Sequence, residues 1–310
     1  MTSRLRIALL VGALAVLVVA CGSTVSATPI PDKSLPAASG SGRPSILPVP
    51  VTSFFHVGDN RVIFGLADAT GQKVVAVPDR TLSIGYNGPT GEKIAPAPQT
   101  FIWAVEGVNG VYVGHATFPA AGKWTADFTT AAPGSPSVTM TFGFDVLQRS
   151  PVVSAGDAAP SVKTPTLADV GGDIAKISSD ATPVKRFYET SEADALAAKK
   201  PFVLIFATPK FCQTATCGPT LDRLKPVAAA HPELTFINVE PYKLEYTNGA
   251  LQPVLTGQDL TPVEATNAFK LTTEPYVFIV GADGKVSATF ELVFSPDEIE
   301  AAIKQVEKAG

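Results

Sequence analysis

The chain has few of the residues that hold metals or bind nucleic acids. Its 310 residues include three Cys, three His and two Met, one of which is the initiator. A dedicated site for a soft metal is hard to assemble from so few, although two cysteines could contribute to one. The net charge of -4 provides no basic surface for nucleic acid. We therefore expect no cofactor, no resident metal and no nucleic-acid partner.

Charged residues are also scarce, and part of the deficit lies in an apolar N-terminus. They make up 17% of the chain, below the ~25% that is usual for soluble domains. Two arginines precede an apolar run, residues 7–20, which is too short to span a bilayer comfortably and is typical of a secretory signal. The run ends in the letters VVAC at Cys21. This ending resembles the lipobox of bacterial lipoproteins.

The lipobox resemblance implies cleavage before Cys21 and acylation of that cysteine. Residues 1–20 are then a lipoprotein signal peptide, and the lipid bilayer is a partner of the mature protein. More than one acyl chain gives durable anchoring, since each buried CH₂ contributes roughly 0.8 kcal/mol. We expect an extracytoplasmic protein that is lipid-anchored to the cell membrane. The alternative is an ordinary signal peptide cut elsewhere, with Cys21 incidental.

Residues 21–50 are rich in Ser, Ala, Gly and Pro and lack apolar periodicity, so they are predicted to form a flexible tether.

In residues 51–149, short runs of Val, Ile, Phe, Tyr and Thr alternate with turn residues, and no segment of helical period intervenes. This spacing predicts an antiparallel sandwich. The stretch YVGHATFPAAGKWTADF, residues 112–128, resembles the last hairpin of immunoglobulin-like modules of bacterial exported proteins. An interaction or spacer role is expected.

A copper site in this sandwich is the alternative, because some exported sandwiches bind copper through His and Met. The candidates here are His56, His115 and Met140. His115 follows a strand alternation, which favours an ordinary sheet residue.

Beyond the sandwich, residues 150–183 are rich in Pro and Gly. They are predicted to be a linker that partly packs on a neighbouring domain.

The third region, residues 184–310, contains the other two cysteines. Residues 202–207 form a continuous apolar run of strand length, as expected of a strand buried on both faces. A turn then presents Cys212 and Cys217, and a helical pattern begins at Gly218-Pro219. The dipole and free N–H groups of a helix N-terminus stabilise a thiolate and make the sulfur reactive. Because Cys21 is assigned to the anchor, counting favours a Cys212–Cys217 disulfide.

Later segments complete a βαβαββα order, in which an apolar strand at 234–240 and a short helix at 262–269 precede two strands and a last helix. This order, with a cysteine turn after its first strand, resembles the thioredoxin superfamily over residues 193–306. The Glu274-Pro275 step and the GADGKV hairpin also carry the resemblance. The predicted fold class is therefore multidomain: an N-terminal all-β immunoglobulin-like sandwich followed by an α/β thioredoxin-like domain.

The resemblance implies specific roles for site residues. Pro275 matches a cis proline that faces the cysteines and pairs with an extended substrate. Glu274 and Phe211 are the other predicted substrate-positioning residues. The sequence departs from the family pattern in three ways: Phe211 stands where Trp is usual, four residues separate the cysteines, and Ile205 occupies the place of a buried acid.

The first functional hypothesis is a thiol–disulfide oxidoreductase that acts on thiols or disulfides of exported proteins. Cys212 is its nucleophile and Cys217 resolves the mixed disulfide. The second is a non-enzymatic binding or scaffold lipoprotein, in which the same disulfide is a staple that contributes ~2 kcal/mol.

Two further hypotheses depend on residues elsewhere in this region. TPKFCQTATC resembles a peroxiredoxin motif, with one residue too many between Thr208 and Cys212. A peroxidase also needs an Arg against the sulfur, and Arg223 lies on the following helix. A copper chaperone needs a distal His near the cysteines, whereas His231 is predicted at the far end of that helix.

Overall fold

The computed structural model describes residues 44–309. Within its first hundred residues, two sheets share one apolar core. Their strands are β1 (Ile46–Pro50), β2 (Phe55–His56), β3 (Gly58–Asp68), β4 (Thr81–Asn87), β5 (Lys93–Pro98), β6 (Thr100–Val105), β7 (Asn109–Phe118), β8 (Gly122–Ala131) and β9 (Val138–Leu147). One sheet has the order β1-β3-β7-β6 and the other β2-β9-β8-β4-β5. The short β2–β9 pair is parallel, and the other pairs of these sheets are antiparallel.

Alternation along the strands explains why these segments form a sandwich. On β8, Trp124, Ala126 and Phe128 are buried, while the residues between them face solvent. Side chains in a strand point alternately to opposite faces, so one face of β8 packs in the core and the other is exposed to solvent. The indole N–H of Trp124 donates to the carbonyl of Ala120 at 3.0 Å, which satisfies its one polar group.

The sandwich begins earlier than the sequence predicts. The tether was expected to extend to residue 50, but Ile46–Pro50 is strand β1 and pairs with β3. The signal peptide, Cys21 and residues 21–43 lie outside the described residues.

The predicted linker, residues 150–183, contributes to the core of the following region. The buried residues Val152, Val153, Ala159 and Val162 pack in that core. Backbone hydrogen bonds fix the segment, including one from Gly156 N–H to the Val286 carbonyl at 2.8 Å. The rest of the linker contains short 3₁₀ turns at Ala168–Val170 and Ile174–Lys176, and a third turn follows it at Lys185–Tyr188.

A four-stranded mixed sheet organises the remaining residues. The strands are β10 (Phe202–Phe206), β11 (Thr235–Val239), β12 (Leu244–Thr247), β13 (Ala250–Pro253), β14 (Leu255–Thr256), β15 (Asp259–Leu260), β16 (Tyr276–Val280) and β17 (Val286–Glu291). The helices are α1 (Glu192–Ala197), α2 (Cys217–Ala230), α3 (Glu264–Ala268) and α4 (Pro296–Ala309). The sheet order is β11-β10-β16-β17, in which β10 runs parallel to β11 and antiparallel to β16. Two small hairpins, β12–β13 and β14–β15, lie outside this sheet.

Strand β10 is buried on both faces, as its continuous apolar sequence predicts. Val203 and Ile205 pack with the apolar sides of α2 and α4. Phe202, Leu204 and Phe206 pack on the other side with the linker, α1 and α3. No helix among the described residues is long and apolar enough to span a membrane.

The predicted fold class, a sandwich followed by an α/β thioredoxin-like domain, is wrong for this chain. Among the described residues, strands make up 40% and helices 18%, so this part of the chain is mainly β. Helices α1 and α3 have only six and five residues. Two hairpins form within residues 241–261, between the strand predicted at 234–240 and the helix predicted at 262–269. Their strands are two to four residues long, too short for a period-two pattern to be recognised in the sequence.

An ion pair joins the sandwich to α4. The guanidinium of Arg61 on β3 donates to both carboxylate oxygens of Glu298, at 2.7 and 3.0 Å. The same guanidinium lies 5.6 Å from the ring centre of Phe290. Burial acts to raise the pKa of Glu298, but the hydrogen bonds and charge of Arg61, with hydrogen bonds from Ser295, outweigh it and hold that pKa below its usual value.

Replacing Arg61 by Ala is expected to lower the free energy of unfolding by about 2 kcal/mol, because partly buried Glu298 loses a bidentate partner. The native pKa of Glu298 is lowered, so the pair stabilises above the unfolded-state pKa and this contribution is lost as pH falls through the native value. Urea unfolding at neutral and acidic pH measures both effects. The control Lys123→Ala breaks an exposed pair with Asp145 and should cost less than ~0.5 kcal/mol. Equal losses in the two variants would contradict the assignment.

Candidate functional site

Cys212 and Cys217 form a disulfide bond, and their Cα atoms are 6.0 Å apart. The bond lies where the chain leaves the carboxyl end of β10 and enters α2, whose first residue is Cys217. Between the cysteines, Ala215 has a φ of 62°, a left-handed conformation that is uncommon for residues other than Gly. The predicted disulfide is confirmed.

The two cysteines differ in their access to solvent. Cys217 is fully buried and belongs to the apolar core that α2 and α4 form with the sheet. Cys212 is only half-buried, and its Sγ accepts a hydrogen bond from the backbone N–H of Cys217 at 3.2 Å. An N–H donor and the positive end of a helix dipole both stabilise negative charge on sulfur. Cys212 is therefore the sulfur that a second molecule can reach.

Glu274 lies against the cysteine turn and is 2% exposed. Its Oε1 accepts from the backbone N–H of Gln213 at 2.6 Å, and its Oε2 accepts from the hydroxyl of Tyr242 at 2.5 Å. Its carbonyl accepts from Thr214 Oγ1 at 2.7 Å. Both its side chain and its main chain thus hold the turn between the cysteines.

The peptide bond between Glu274 and Pro275 is cis, so this expectation is confirmed. One carboxylate oxygen of Glu274 and the two sulfurs, of Cys212 and Cys217, all lie within 4.8 Å of one another. No other group of three or more His, Cys, Asp or Glu in residues 44–309 is arranged to hold a metal. The carboxylate and the disulfide therefore form one cluster.

Neutral donors surround the Glu274 carboxylate. Tyr242 has its pKa raised, first by burial and then by the hydrogen bond and charge of Glu274, so its hydroxyl stays protonated. Gln213 Nε2 donates to the same hydroxyl at 3.0 Å. Lys210 precedes the turn, but its ammonium donates to the Leu251 carbonyl at 3.3 Å. Within the described part of the chain, Glu274 has no salt bridge.

Phe211 is half-buried directly before Cys212, and its ring centre lies 5.4 Å from the Lys210 ammonium. The carboxyl end of β10 and the start of β16 thus bring together all the residues that the sequence predicts for this site. They are Phe211, Cys212, Cys217, Glu274 and Pro275.

The residues needed by the other hypotheses are engaged elsewhere. The Arg223 guanidinium donates to the Trp103 carbonyl, which lies in the sandwich. His231 follows the last residue of α2 and contacts Glu300 and Glu307 of α4, at 3.0 and 3.2 Å.

The copper candidates of the sandwich are likewise not gathered into a site. His56 contacts the carbonyl of Val57 at 2.9 Å, His115 is exposed on β7, and Met140 is buried in the core.

Sequence reasoning missed Tyr242, Thr214 and Glu240. Tyr242 and Thr214 lie in turns whose course no local pattern specifies. Glu240 carries a usable signal, because it directly follows the buried strand β11. The carboxyl ends of parallel neighbouring strands meet at one edge of a sheet, so an acid there is expected near the end of β10.

A cavity of about 720 Å³ adjoins this edge. Its lining is largely apolar, and Tyr242 belongs both to the cavity and to the cysteine cluster. Glu240 also lines it, with Oε1 accepting from the backbone N–H of Ser179 at 2.6 Å. Burial raises the pKa of Glu240 to about 7. The cavity therefore holds a carboxyl group that titrates near neutrality.

No family model and no curated protein matches the chain. Among solved structures, a DUF4426 family protein from Pseudomonas aeruginosa PAO1 is 14% identical, with a TM-score of 0.27, over 36% of this chain and 98% of that one. The CARDB domain of a Pyrococcus furiosus protein is 12% identical, with a TM-score of 0.18, over 34% of this chain and 97% of that one. No activity follows from either likeness, so the function is argued from the geometry of the site.

Glu240→Gln is expected to remove part of the pH dependence of stability. The pKa of Glu240 is about 7 in the folded protein against 4.5 ordinarily. Between these values the folded state holds a proton that the unfolded state has released, so wild-type stability falls as pH rises. Relative to wild type, the variant should gain about 3 kcal/mol across this window. Urea unfolding at a series of pH values measures the gain.

The matched control for Glu240→Gln is Glu245→Gln, which changes an exposed acid that lines the same cavity. Its stability should follow that of the wild type at every pH. A Glu240→Gln curve that stays parallel to the wild-type curve would contradict the assignment.

Proposed function

We propose that the protein is a thiol–disulfide oxidoreductase that acts on exported proteins through Cys212 and Cys217. The observation that carries this proposal is the asymmetry of the pair: Cys212 is half-exposed and accepts a helix N–H, whereas Cys217 is fully buried. A partner thiolate can therefore attack only Cys212, and the helix N-terminus stabilises the charge when Cys212 leaves as a thiolate. Disulfide exchange requires one accessible sulfur that forms the mixed disulfide and is later released as a thiolate.

The reaction begins from the disulfide form. A substrate thiolate attacks Cys212 Sγ, the Cys212–Cys217 bond breaks, and Cys217 leaves as a thiolate that takes a proton from solvent. A second substrate thiolate then attacks the substrate sulfur of the mixed disulfide and releases Cys212 as a thiolate. Two electrons have passed from the substrate dithiol to the protein, and the substrate now carries the disulfide. The reverse sequence reduces a substrate disulfide.

Substrate contact falls to Phe211, which is half-buried, whereas Pro275 is buried. Phe211 offers apolar surface directly before Cys212, and Pro275 lies beside the turn through its cis bond to Glu274. The carboxylate of Glu274 is already taken by Gln213 and Tyr242. We therefore assign Glu274 to positioning the cysteine turn.

The site is tethered to a membrane in this proposal. Acylation of Cys21 anchors the chain to the outer face of the cytoplasmic membrane, and residues following Cys21 give the folded part its reach. Partner thiols and disulfides belong to exported proteins in the same compartment, where disulfides persist.

A structural disulfide in a binding or scaffold lipoprotein is the second candidate. The burial of Cys217 among Leu221 and other core residues favours it, because a staple there ties the start of α2 to the end of β10. A peroxidase has less support, since Arg223 is bonded to the Trp103 carbonyl.

Reduction potential and turnover separate these candidates. We expect a Cys212–Cys217 potential above about −300 mV and catalysis of insulin reduction by a dithiol, lost in Cys212→Ser. Cys217→Ser should instead accumulate mixed disulfides with exported proteins, because its nucleophile has no resolving partner. A potential below about −300 mV without turnover would favour the staple. Consumption of peroxide that disappears in Cys212→Ser would select the peroxidase.

Cys21→Ser is expected to end labelling of the protein by radioactive palmitate and to move it from the membrane fraction to the soluble fraction. Acyl chains supply the anchoring free energy, and the variant has no thiol to receive them. The matched control Cys212→Ser should stay labelled and membrane-bound. Palmitate labelling of Cys21→Ser at the wild-type level would refute the anchor.

A further inference from the structure

We propose that the dithiol form of the protein binds one Zn²⁺ ion through Cys212, Cys217 and Glu274. This site goes beyond disulfide exchange, because it needs only a reduced pair and no partner protein. Its ligands are two thiolate sulfurs and one carboxylate oxygen, a donor set that suits Zn²⁺.

The geometry of the cluster is the first argument. The two sulfurs and a carboxylate oxygen of Glu274 already lie within 4.8 Å of one another. Zinc–sulfur bonds of ~2.3 Å and zinc–oxygen bonds of ~2.0–2.2 Å require ligand atoms to be gathered on this scale. Four residues separate the cysteines, which falls in the two-to-four range typical of zinc-ligand spacing. Three protein ligands leave a fourth position for water.

The burial of Glu274 is the second argument. Its side chain is 2% exposed, and no cation forms a salt bridge with it in the described part of the chain. Buried charges in proteins are paired or coordinate metals. Positioning the cysteine turn needs hydrogen-bond acceptors but not a charge, and a negative charge beside the sulfurs disfavours a thiolate. A divalent cation among the three groups would offset both the burial of an unpaired carboxylate and its repulsion of the thiolates.

The hydrogen bonds around the ligands are the third argument. Carboxylates that bind metals are themselves held by outer hydrogen bonds that fix their orientation. Glu274 has two such donors, the Gln213 N–H at 2.6 Å and the Tyr242 hydroxyl at 2.5 Å. The Cys217 N–H plays the same part for Cys212 Sγ. These bonds exist already in the disulfide form, so the surroundings of the ion are prepared before it binds.

The redox state controls the site. A dithiol or phosphine reductant supplies two electrons, the S–S bond breaks, and the two sulfurs take up two protons. Zn²⁺ then displaces those two protons as both sulfurs become thiolate ligands. The disulfide form has no thiolate to offer and does not bind the ion through sulfur. Bound zinc in turn blocks alkylation of Cys212 and its attack on disulfides.

Zinc titration of the whole folded protein tests the proposal. The protein is reduced with a phosphine, freed of reductant under argon and titrated with Zn²⁺ against a chromophoric chelator. We expect one Zn²⁺ per chain, release of two protons from a thiol form, and protection of both thiols from iodoacetamide. Co²⁺ should give sulfur-to-metal charge-transfer bands in the reduced protein and none in the oxidised protein. Absence of stoichiometric binding by the reduced protein would overturn the proposal.

Variants test the part of Glu274. Glu274→Gln keeps the shape of the side chain and should weaken zinc binding by at least ~10-fold, whereas Cys212→Ser and Cys217→Ser should each abolish the cobalt charge-transfer spectrum of the pair. The control Glu192→Gln removes another buried carboxylate, whose Oε2 accepts from the Val162 N–H, outside the cluster. It should bind zinc as wild type does. Unchanged affinity in Glu274→Gln would refute the three-ligand site.

X-ray absorption of the zinc-loaded wild type keeps the test independent of whether Glu274→Gln folds. Two sulfur and two oxygen scatterers are expected, and four sulfur scatterers, as from two chains sharing an ion, would overturn the proposal. Insulin turnover reports on the proposed exchange separately. Zinc binding without insulin turnover would contradict only the proposed disulfide exchange. Insulin turnover without zinc binding would contradict only the proposed zinc site.

Discussion

Burial of strand β10 on both faces is the constraint on which the rest of the structure depends. Hydrogen bonds to β11 and β16 satisfy the backbone groups of β10. Helices α2 and α4 cover one face of the strand, and the linker, α1 and α3 cover the other. A one-residue shift in its register would move every side chain to the opposite face and disrupt the packing on both sides. Its carboxyl end therefore fixes where Cys212 emerges, and α2 fixes where Cys217 meets it. The packing of the core thus sets the geometry of the disulfide.

Two opposing electrostatic influences meet at the sulfurs. A hydrogen bond from the Cys217 N–H to a charged Cys212 sulfur is worth ~1.5–3 kcal/mol. A Glu274 carboxylate within 4.8 Å repels a thiolate by roughly 3 kcal/mol at an effective dielectric constant near 20. The two effects are of similar size, so neither alone decides the reactivity of Cys212.

The sandwich and the cysteine-bearing region share more than a connecting segment. Arg61 pairs with Glu298, Val293 packs among apolar residues of the sandwich, and residues 152–162 complete the core of the following sheet. A partly buried ion pair and a shared apolar cluster resist hinge motion better than a polar linker does. In the proposed exchange, a partner at the cysteine site would therefore meet a surface held in place by both regions.

The sequence by itself determined the features that rest on local pattern. The alternation of apolar and polar residues predicted the sandwich strands, and the continuous apolar run at 202–207 predicted β10. The count of cysteines, together with the predicted helix start, predicted the Cys212–Cys217 pair. The cis bond before Pro275 came from a resemblance, since no local rule requires it. The fold class failed where strands of two to four residues form hairpins, because their stability comes from packing. Only the tertiary structure decided that Glu274 faces the sulfurs, since strands distant in sequence meet there and a buried carboxylate must find its hydrogen-bond donors across the fold.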